Sequence, residues 1–420
     1  MDLISQLPDA VLLVILSLLP AKEVVATMVL SKRWQFLWML VPRLVYDDNY
    51  QNIEYGRFSR FVDRSLLLHE APTLKTLHFK LGQISGAVDI GVWTKAVLKR
   101  CVPELIIEID FSSSTNSVIL PRSLYTCCTM LVTLKLNSVI LVDFPSPVSF
   151  PFLKEMSLES IKYPGDEFFK RLLSSCHVLE DLVVMQCVED NVTVFTVRVP
   201  SLKKFCMHKS VDKHRDGADG FVIDAPSLES LEILDNTDGF CVIENEMPNI
   251  VTADVDVTHS HSGNILTSII SVKNLYLCLP TAEDAYPVGS VFHHLVDLTL
   301  CRCDVQWLNL LMRLLGDSPK LRALRLDQYH GFQAHEPSPC WIKPSSIPEC
   351  LSSSFETLEW EAYEGTEEEK ELVGYILRNG SCLKKVTVSS KSTDSDKKLE
   401  MIKELTLSIR RSSTCQLVFD

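Results

Sequence analysis

The chain has 420 residues and a formal net charge of −13 at pH 7, and its Lys and Arg residues form nothing longer than isolated pairs. An acidic chain without a basic block lacks the electrostatic footprint of a nucleic-acid-binding protein. The fourteen cysteines include no C-x-x-C pair, so zinc-ribbon and thioredoxin-like motifs are missing their basic unit. In a chain of this length without an export signal, we expect reduced and mostly buried thiols.

The N-terminal segment, residues 4–44, is more apolar than a solvated lead-in. Pro8 and Pro20 are suited to begin and to end a first helix, and a second short helix is predicted over Ala21–Val29. A third helix, with Ser31 as its N-cap, places three large side chains on one face: Trp34, Leu37 and Trp38. Three short helices in about 40 residues cannot bury this much apolar area alone. The rest of the chain, a membrane or a partner protein must therefore cover some of it.

Three blocks of this segment resemble the F-box: Leu7-Pro8-Asp9, the run from Ile15 to Pro20, and Leu30 to Trp34 followed by Leu37-Trp38. In the F-box family these helices dock on a Skp-type adaptor, which connects the protein to a cullin–RING ubiquitin ligase. The resemblance implies that adaptor, and through it the ligase, as partners. The residues that it implies as adaptor contacts are Leu7, Pro8, Ile15, Leu16, Leu19, Pro20, Leu30, Trp34 and Trp38. We assign the F-box to 1–45, and a linker with a capping helix to 46–70.

The apolar segment fits neither a signal peptide nor a membrane-spanning helix. A signal peptide begins with a basic region, but no Lys or Arg precedes Lys22. A membrane-spanning helix needs about 18 or more apolar residues, whereas the run that starts at Ala10 stops after ten residues, at Leu19. We therefore expect no membrane partner, and a location in the cytoplasm, the nucleus or both.

From Leu74 onward one pattern recurs, L-x-x-L-x-L. Its first positions between Leu131 and Leu321 lie 22 to 26 residues apart, which is the period of leucine-rich repeats. In a strand, L-x-L buries both leucines and exposes the residue between them, and each repeat needs its neighbours to complete a core. The predicted fold is α/β: a curved leucine-rich-repeat solenoid over 71–339, with a parallel sheet on the concave face and helices or loops on the convex face.

The C-terminal region resembles the FBD domain of plant F-box proteins. The matching blocks are Pro348 to Leu351, Leu358-Glu359-Trp360, Tyr363-x-Gly365, Glu371 to Leu377 and Leu383 to Val388. Considered residue by residue, Thr366 is a suitable N-cap, and the acids after it lie where the helix dipole favours them. The helix should run to about Arg378, with Gly380 ending it. We assign 340–420 to an FBD element that continues the solenoid.

No group of residues in the sequence points to catalysis. Cys176, Cys382 and the pair Cys127-Cys128 lie beside predicted strand starts, where a small buried residue is expected and no base is fixed nearby. His259 and His261 could share one face of a strand, but no third ligand joins them at a fixed spacing. Phosphate loops, G-x-S-x-G and H-E-x-x-H are all missing. We expect a non-catalytic protein without a cofactor or a metal.

The exposed face of the predicted strands is the remaining functional candidate. Its polar positions that could contact a protein substrate are Lys204, His208, Glu232, Asp254, Asp256, Asp297, Arg325 and Asp327. Acids gather from Glu232 to Asp297, which favours a basic partner. Alternatively, these are ordinary solvated strand residues of an acidic protein, and both interpretations stay open on the sequence alone.

The order F-box, repeats and FBD resembles a substrate-recognition subunit of a Skp–cullin–F-box ubiquitin ligase. In such a protein the F-box fixes the chain to the ligase, and the repeats hold a target protein near the conjugating enzyme. The alternative is a non-catalytic binding scaffold that acts independently of cullin.

Overall fold

The computed structural model describes residues 4–48, 55–82, 87–98, 100–110, 118–127, 129–144, 148–186, 191–209, 219–235, 237, 239–257, 263–279, 291–303, 307–328, 344 and 346–419. The chain divides into two compact units, Met1–Leu202 and Lys203–Asp420. Among the helices within the described ranges, none is both long and apolar enough to cross a membrane.

The first unit contains the F-box helices followed by parallel strands. Its helices are α1 (Asp9–Leu16), α2 (Ala21–Ala26), α3 (Trp34–Leu37), α4 (Tyr55–Leu68), α5 (Ala87–Leu98), α6 (Ser123–Cys127) and α7 (Asp166–Ser174). Its strands are β1 (Arg43–Asp47), β2 (Thr76–Leu81), β3 (Glu104–Ile109), β4 (Val118–Ile119), β5 (Thr133–Asn137), β6 (Val139–Ile140), β7 (Glu155–Glu159), β8 (Asp181–Met185) and β9 (Val194–Arg198). The order β1-β2-β3-β5-β7-β8 is parallel throughout, and β4 pairs with β6.

The second unit continues the same pattern and ends in the FBD region. Its strands are β10 (Lys204–Lys209), β11 (Gly220–Asp224), β12 (Ser230–Asp235), β13 (Phe240–Ile243), β14 (Thr252–Val257), β15 (Asn274–Cys278), β16 (Asp297–Cys301), β17 (Ala323–Asp327), β18 (Thr357–Tyr363), β19 (Lys385–Ser390) and β20 (Gln416–Phe419). Its helices are α8 (Gly263–Ser268), α9 (Trp307–Asp317), α10 (Glu349–Ser353), α11 (Glu367–Asn379) and α12 (Ser395–Leu407). The main sheet runs β10-β12-β14-β15-β16-β17-β18-β19-β20, and β11 pairs with β13.

The F-box helices form where the prolines and the apolar spacing predict them. Pro8 and Pro20 precede α1 and α2 with extended backbone, at ψ of 149° and 148°, in positions where a missing N–H is no loss. Short 3-10 turns over Ile4–Gln6, Thr27–Val29 and Trp38–Leu40 complete the module. The predicted N-cap at Ser31 is wrong, because α3 begins only at Trp34 and no side chain caps it.

Strand β1 follows the last F-box turn directly and belongs to the sheet. The structure therefore places the first two residues of the predicted linker, 46 and 47, in a strand. Leu44 and Tyr46 are 3 % and 1 % exposed and lie opposite Leu77 and Phe79 of β2, although polar residues follow them in the sequence. Two contacts hold β1 to the F-box and to α4: Arg43 donates a hydrogen bond to the Ser17 carbonyl oxygen (3.0 Å), and Tyr46 shares one with Ser65 (2.8 Å).

The L-x-L pattern decides which side chains each strand buries. Leu298 and Leu300 of β16 are both 0 % exposed, while Thr299 between them points away from that core. The register repeats this choice from strand to strand, since Leu275 of β15 lies opposite Leu298 and Tyr276 lies opposite Thr299. The side chains between the buried pairs form straight rows that cross the strands, and we call them the outward face.

Helix α11 has the boundaries that the sequence predicts. The Thr366 hydroxyl accepts a hydrogen bond from the Glu369 N–H (3.3 Å), and the Glu369 carboxylate accepts one from the Thr366 N–H (3.2 Å). This reciprocal capping box satisfies two N–H groups that the helix cannot satisfy itself. The helix ends before Gly380, as predicted. Strand β20 closes the order of the sheet and was not predicted, because no L-x-x-L-x-L precedes it.

Candidate functional site

The F-box helices close around a core of their own and still leave apolar side chains in solvent. The core contains Leu12, Leu16, Val24, Trp34, Leu37, Trp38 and Val41. The large apolar side chains that remain exposed are Ile4, Val11, Val14, Ile15, Leu18, Met28, Val29, Leu30, Phe36 and Leu40, which we call the F-box apolar surface. Leu18 and Val29 are the most open of them, at 74 % and 85 % exposure. A concentration of exposed apolar side chains marks an interaction site.

The nine predicted adaptor contacts divide between this surface and the core. Ile15 and Leu30 belong to the F-box apolar surface, and Pro8 is exposed as well. Three others are half-buried: Leu7, Leu19 and Pro20. The remaining three are at most 6 % exposed and belong to the F-box core: Leu16, Trp34 and Trp38.

Sequence reasoning missed the most exposed members of the F-box apolar surface. Val14 and Leu18 lie in or just after α1, whose sequence is apolar on all sides, so its spacing does not show which face is buried.

An ion pair holds the first residues of the F-box in place. Arg33 donates to the Asp9 carboxylate (2.8 Å) and to the Leu7 carbonyl oxygen (2.5 Å), which holds the Leu7-Pro8-Asp9 block near α3.

A groove of about 640 Å³ separates the F-box from α4. Apolar side chains line it on both sides, and three arginines of α4 contribute a basic rim: Arg57, Arg60 and Arg64. This combination suits a segment with apolar and acidic side chains. The sequence predicted this helix only as a cap on the repeats, so the arginines of α4 were not among the predicted adaptor contacts.

The acidic candidates meet on the outward face of the second unit. Glu232, Asp254 and Tyr276 occupy one row, since Glu232 lies opposite Asp254 and Asp254 opposite Tyr276 on successive parallel strands. A depression of about 270 Å³ lies over this row, and its lining includes Thr299 and Asp297. We call it the acidic depression. Tyr276 and Thr299 are additions to the predicted set, and the L-x-L pattern places both of them outward.

Burial and neighbouring charges raise the pKa values of two carboxyl groups in the acidic depression. His208 Nε2 lies 2.6 Å from Glu232 Oε1, so the imidazole is hydrogen-bonded to one acid at the edge of the depression. Partial burial, followed by the charges of Glu232 and Asp256, raises the pKa of Asp254 to about 6, and His208 acts in the opposite direction. Burial and the nearby Glu359 raise the pKa of Asp297 as well.

The other outward candidates are arranged differently. Lys204 is exposed on β10, whereas Arg325 is engaged by Glu361 and lies 3.9 Å from Glu359. Asp256 was predicted to face solvent, and this is wrong, because its side chain is only 3 % exposed at the end of β14. Asp327 is half-buried in the corresponding position of β17. Strand alternation predicts the direction of these two side chains but not what covers them.

Of the cysteines considered for catalysis, the structure describes the side chains of Cys176 and Cys382, and both thiols donate to backbone carbonyl oxygens. Burial raises the pKa of the Cys176 thiol to about 12, and that thiol donates a hydrogen bond to the Leu172 carbonyl oxygen. The exposed Cys382 thiol donates to the Ser353 carbonyl oxygen (3.3 Å). The side chain of Cys127, together with Cys128, His259 and His261, lies outside the described part of the chain.

Two groups of side chains within the described ranges could hold a metal ion. Cys206, His208 and Glu232 meet on the outward face, at the edge of the acidic depression. The second group lies deeper, at the ends of neighbouring strands, and consists of Cys278, Cys301 and Cys303. In each group the ligand atoms lie within 4.8 Å of one another.

Comparisons with protein families agree with the three-part organisation. Family models match residues 4–46 as the F-box domain, residues 90–254 as the leucine-rich repeats of the FBD-associated F-box protein At5g56370, and residues 343–388 as FBD. F-box proteins with such repeats are, in general, substrate-recognition subunits of ubiquitin ligases and not catalytic subunits.

Relatives in Arabidopsis thaliana are similar over the full length of the chain. The FBD-associated F-box protein At1g32375 is 63 % identical, with 100 % of both chains covered. The FBD-associated F-box protein At5g50270 is 60 % identical over 96 % of this chain and 100 % of its own. The F-box/FBD/LRR-repeat protein At5g56420 is 47 % identical over 100 % of this chain and 99 % of its own. The predicted α/β fold, with its parallel repeat sheet, is thereby confirmed, and the chain belongs to the family of plant F-box proteins with leucine-rich repeats and an FBD domain.

Proposed function

We propose that this chain is the substrate receptor of a Skp–cullin–F-box ubiquitin ligase, and that it binds the adaptor through the F-box apolar surface. The single observation that carries the proposal is the contrast between a closed F-box core and the exposed side chains outside it, such as Leu18 and Val29 at 74 % and 85 % exposure. Burying apolar area contributes about 25 cal/mol per Å². Covering these side chains is therefore a strong driving force for association.

The groove between the F-box and α4 extends the adaptor site. Its apolar walls continue the F-box apolar surface, and Arg57, Arg60 and Arg64 add positive charge at the rim. A partner helix with apolar side chains on one face and acids beside them fits both features. Charge complementarity of this kind contributes mainly to the rate and the specificity of association.

The acidic depression is the proposed contact for the target protein. Glu232, Asp254 and Asp297 place carboxyl groups around a cavity of about 270 Å³, with Tyr276 as an amphipathic side chain within it. A Lys or Arg side chain of the target could enter this cavity and stack its apolar stem on the tyrosine ring. The receptor would then act by holding the target near the charged conjugating enzyme, while other subunits supply the chemistry.

Adaptor binding is tested with charge insertions into the F-box apolar surface. Leu18→Glu and Leu30→Glu should each weaken binding of a recombinant Skp-type adaptor about 10-fold or more, because each places a charge in an apolar contact. Leu407→Glu is the matched control, since Leu407 is 84 % exposed but belongs to α12. Pulldown by the purified adaptor, with full-length chain as prey, measures the effect.

Two outcomes would contradict the proposal. Adaptor affinity that is unchanged by both F-box substitutions would place the contact elsewhere. Adaptor binding that is normal, while no cullin is recovered with the complex from cells, would favour a scaffold that acts without the ligase.

A further inference from the structure

Three cysteine side chains converge at one end of the second unit's sheet. Cys278 and Cys301 are the last residues of β15 and β16, and Cys303 follows β16 after one intervening residue. Their sulfur atoms lie within 4.8 Å of one another. Cys278 and Cys301 are 7 % and 4 % exposed, while Cys303 is half-buried and leaves a route from solvent.

The repeat register brings these residues together. Leu277 of β15 lies opposite Leu300 of β16, so the residues that follow them, Cys278 and Cys301, are neighbours on adjacent strands. Parallel strands are about 4.8 Å apart, which is close enough for two thiolates to share one ion. The spacing of a single repeat is therefore enough to place Cys278 beside Cys301, and no C-x-x-C loop is required.

Carboxylates continue the same row on both sides. Asp256 lies opposite Cys278, and Asp327 lies opposite Cys301. The Oδ1 atom of Asp327 is buried and accepts no hydrogen bond from the residues that the structure describes. A buried carboxylate oxygen without a donor is costly, and a cation bound beside it would satisfy that atom.

We propose that Cys278, Cys301 and Cys303 bind a zinc ion as thiolates and that Asp327, whose carboxylate lies outside the group of atoms within 4.8 Å, turns toward the ion to supply the fourth ligand. Zinc prefers four ligands in a tetrahedron and accepts sulfur and carboxylate oxygen together. Three thiolates select a thiophilic ion over Mg²⁺ or Ca²⁺, which prefer oxygen ligands. The ion would connect the ends of β15, β16 and β17 and pin the segment that leaves β16.

Zinc content of the full-length chain is the primary measurement. The chain is reduced, loaded with Zn²⁺ and freed of excess metal. Inductively coupled plasma mass spectrometry should then find about one zinc ion per wild-type chain. Cys278→Ser and Cys303→Ser should each weaken zinc binding about 100-fold or more, because each removes a ligand, and Asp327→Asn about 10-fold or more. Competition with a chromophoric chelator gives these affinities.

Two matched controls separate this site from general cysteine chemistry. Cys241→Ser alters a cysteine that is 3 % exposed and outside both metal-capable groups, and it should keep the zinc. Cys206→Ser removes a thiol of the other metal-capable group, and this variant should keep the zinc ion as well. Should Cys278→Ser fail to fold, the half-buried position Cys303 still carries the test. Cobalt loading adds a second readout, a thiolate-to-cobalt absorption band in the wild type that Cys303→Ser loses.

The proposal is overturned if the reduced wild-type chain takes up less than about a tenth of an equivalent of zinc. It is also overturned if Cys303→Ser binds as much zinc as wild type, or if a Cys278–Cys301 disulfide forms while the reduced chain takes up no metal. An unchanged affinity in Asp327→Asn would overturn the assignment of the fourth ligand. None of these outcomes bears on adaptor binding, which involves the other unit of the chain.

Discussion

Arg302 and Glu369 form a buried ion pair between the repeats and the FBD region, with 2.7 Å between Nη1 and Oε1 and only 6 % of each side chain exposed. Arg302 follows β16, and Glu369 is in the first turn of α11. Both charges have further partners. The second carboxylate oxygen accepts hydrogen bonds from the N–H groups of Glu364, Gly365 and Thr366. The guanidinium also donates to the Ala362 carbonyl oxygen and lies 5.3 Å from the Trp360 ring centroid.

Glu369→Ala should lower the free energy of unfolding by about 3–5 kcal/mol, because it leaves the Arg302 charge buried without its partner. Glu371→Ala is the matched control, an exposed acid in the same helix that should stay within about 0.5 kcal/mol. Urea unfolding monitored by tryptophan fluorescence measures both. A loss of under about 1 kcal/mol in Glu369→Ala would mean that other groups compensate the arginine.

Leu298→Ala should destabilise the second unit by about 2–5 kcal/mol, because Leu298 is 0 % exposed and packs in the row that joins neighbouring strands. Leu182→Ala should act in the same way in the first unit, where Leu182 is also 0 % exposed. Since repeats are stabilised by their neighbours, we expect a shallower urea transition as well as an earlier one. Asn274→Ser, on an exposed strand position, is the control, and a comparable loss there would contradict the assigned register.

Glu232→Lys combined with Asp254→Lys should abolish capture of a basic target while leaving stability and adaptor binding nearly unchanged. The charges that attract the target would become repulsive. Proteins that co-purify from cells under proteasome inhibition, identified by mass spectrometry, measure capture. Glu155→Lys makes the same kind of charge change on an exposed strand position of the first unit and should keep the targets. Full capture by the double variant would move recognition away from the acidic depression.

Asp254 should make stability depend on pH. Its pKa is raised to about 6 in the folded chain, against about 3.9 in the unfolded chain. The folded state therefore holds this proton more tightly, and the resulting stabilisation is complete below about pH 4 and lost as the pH rises through about 6. Asp254→Asn removes the titration, so the variant should be more stable than wild type at pH 7 and converge with it near pH 4. Parallel stability curves over this range would contradict the shifted pKa.

The repeats could be predicted because each one must bury the same two positions. L-x-L at Leu275 and Leu298 predicts β15 and β16 with their outward residues, and Thr366 with Glu369 predicts the start of α11. Strand β1 repeats this spacing in Val41, Leu44 and Tyr46, but these residues were assigned to the end of the F-box and to the linker, so β1 was not predicted as the first strand of the sheet.

The candidate sites were less predictable than the fold, since they depend on what covers a side chain. Asp254 and Asp256 both occupy outward positions of β14, yet only Asp256 is buried. The F-box spacing indicated a partner but not the face that it binds, since α1 has apolar residues all around. Cys278 and Cys301 are far apart in sequence and meet only through the strand register.

Strand β1 joins the F-box directly to the repeat sheet, without a flexible linker between them. This connection affects which lysines of a target could receive ubiquitin. Besides the Arg43 contact, the Glu70 N–H donates to the Met39 carbonyl oxygen (2.8 Å), and the His69 ring hydrogen-bonds the Val41 carbonyl oxygen (2.8 Å). A ligase bound to the F-box would therefore stand at a fixed distance from the first repeats, so only target lysines within a narrow zone over those repeats would reach the thioester. A Gly/Ser insertion after Val41 would widen that zone and spread ubiquitin over more lysines.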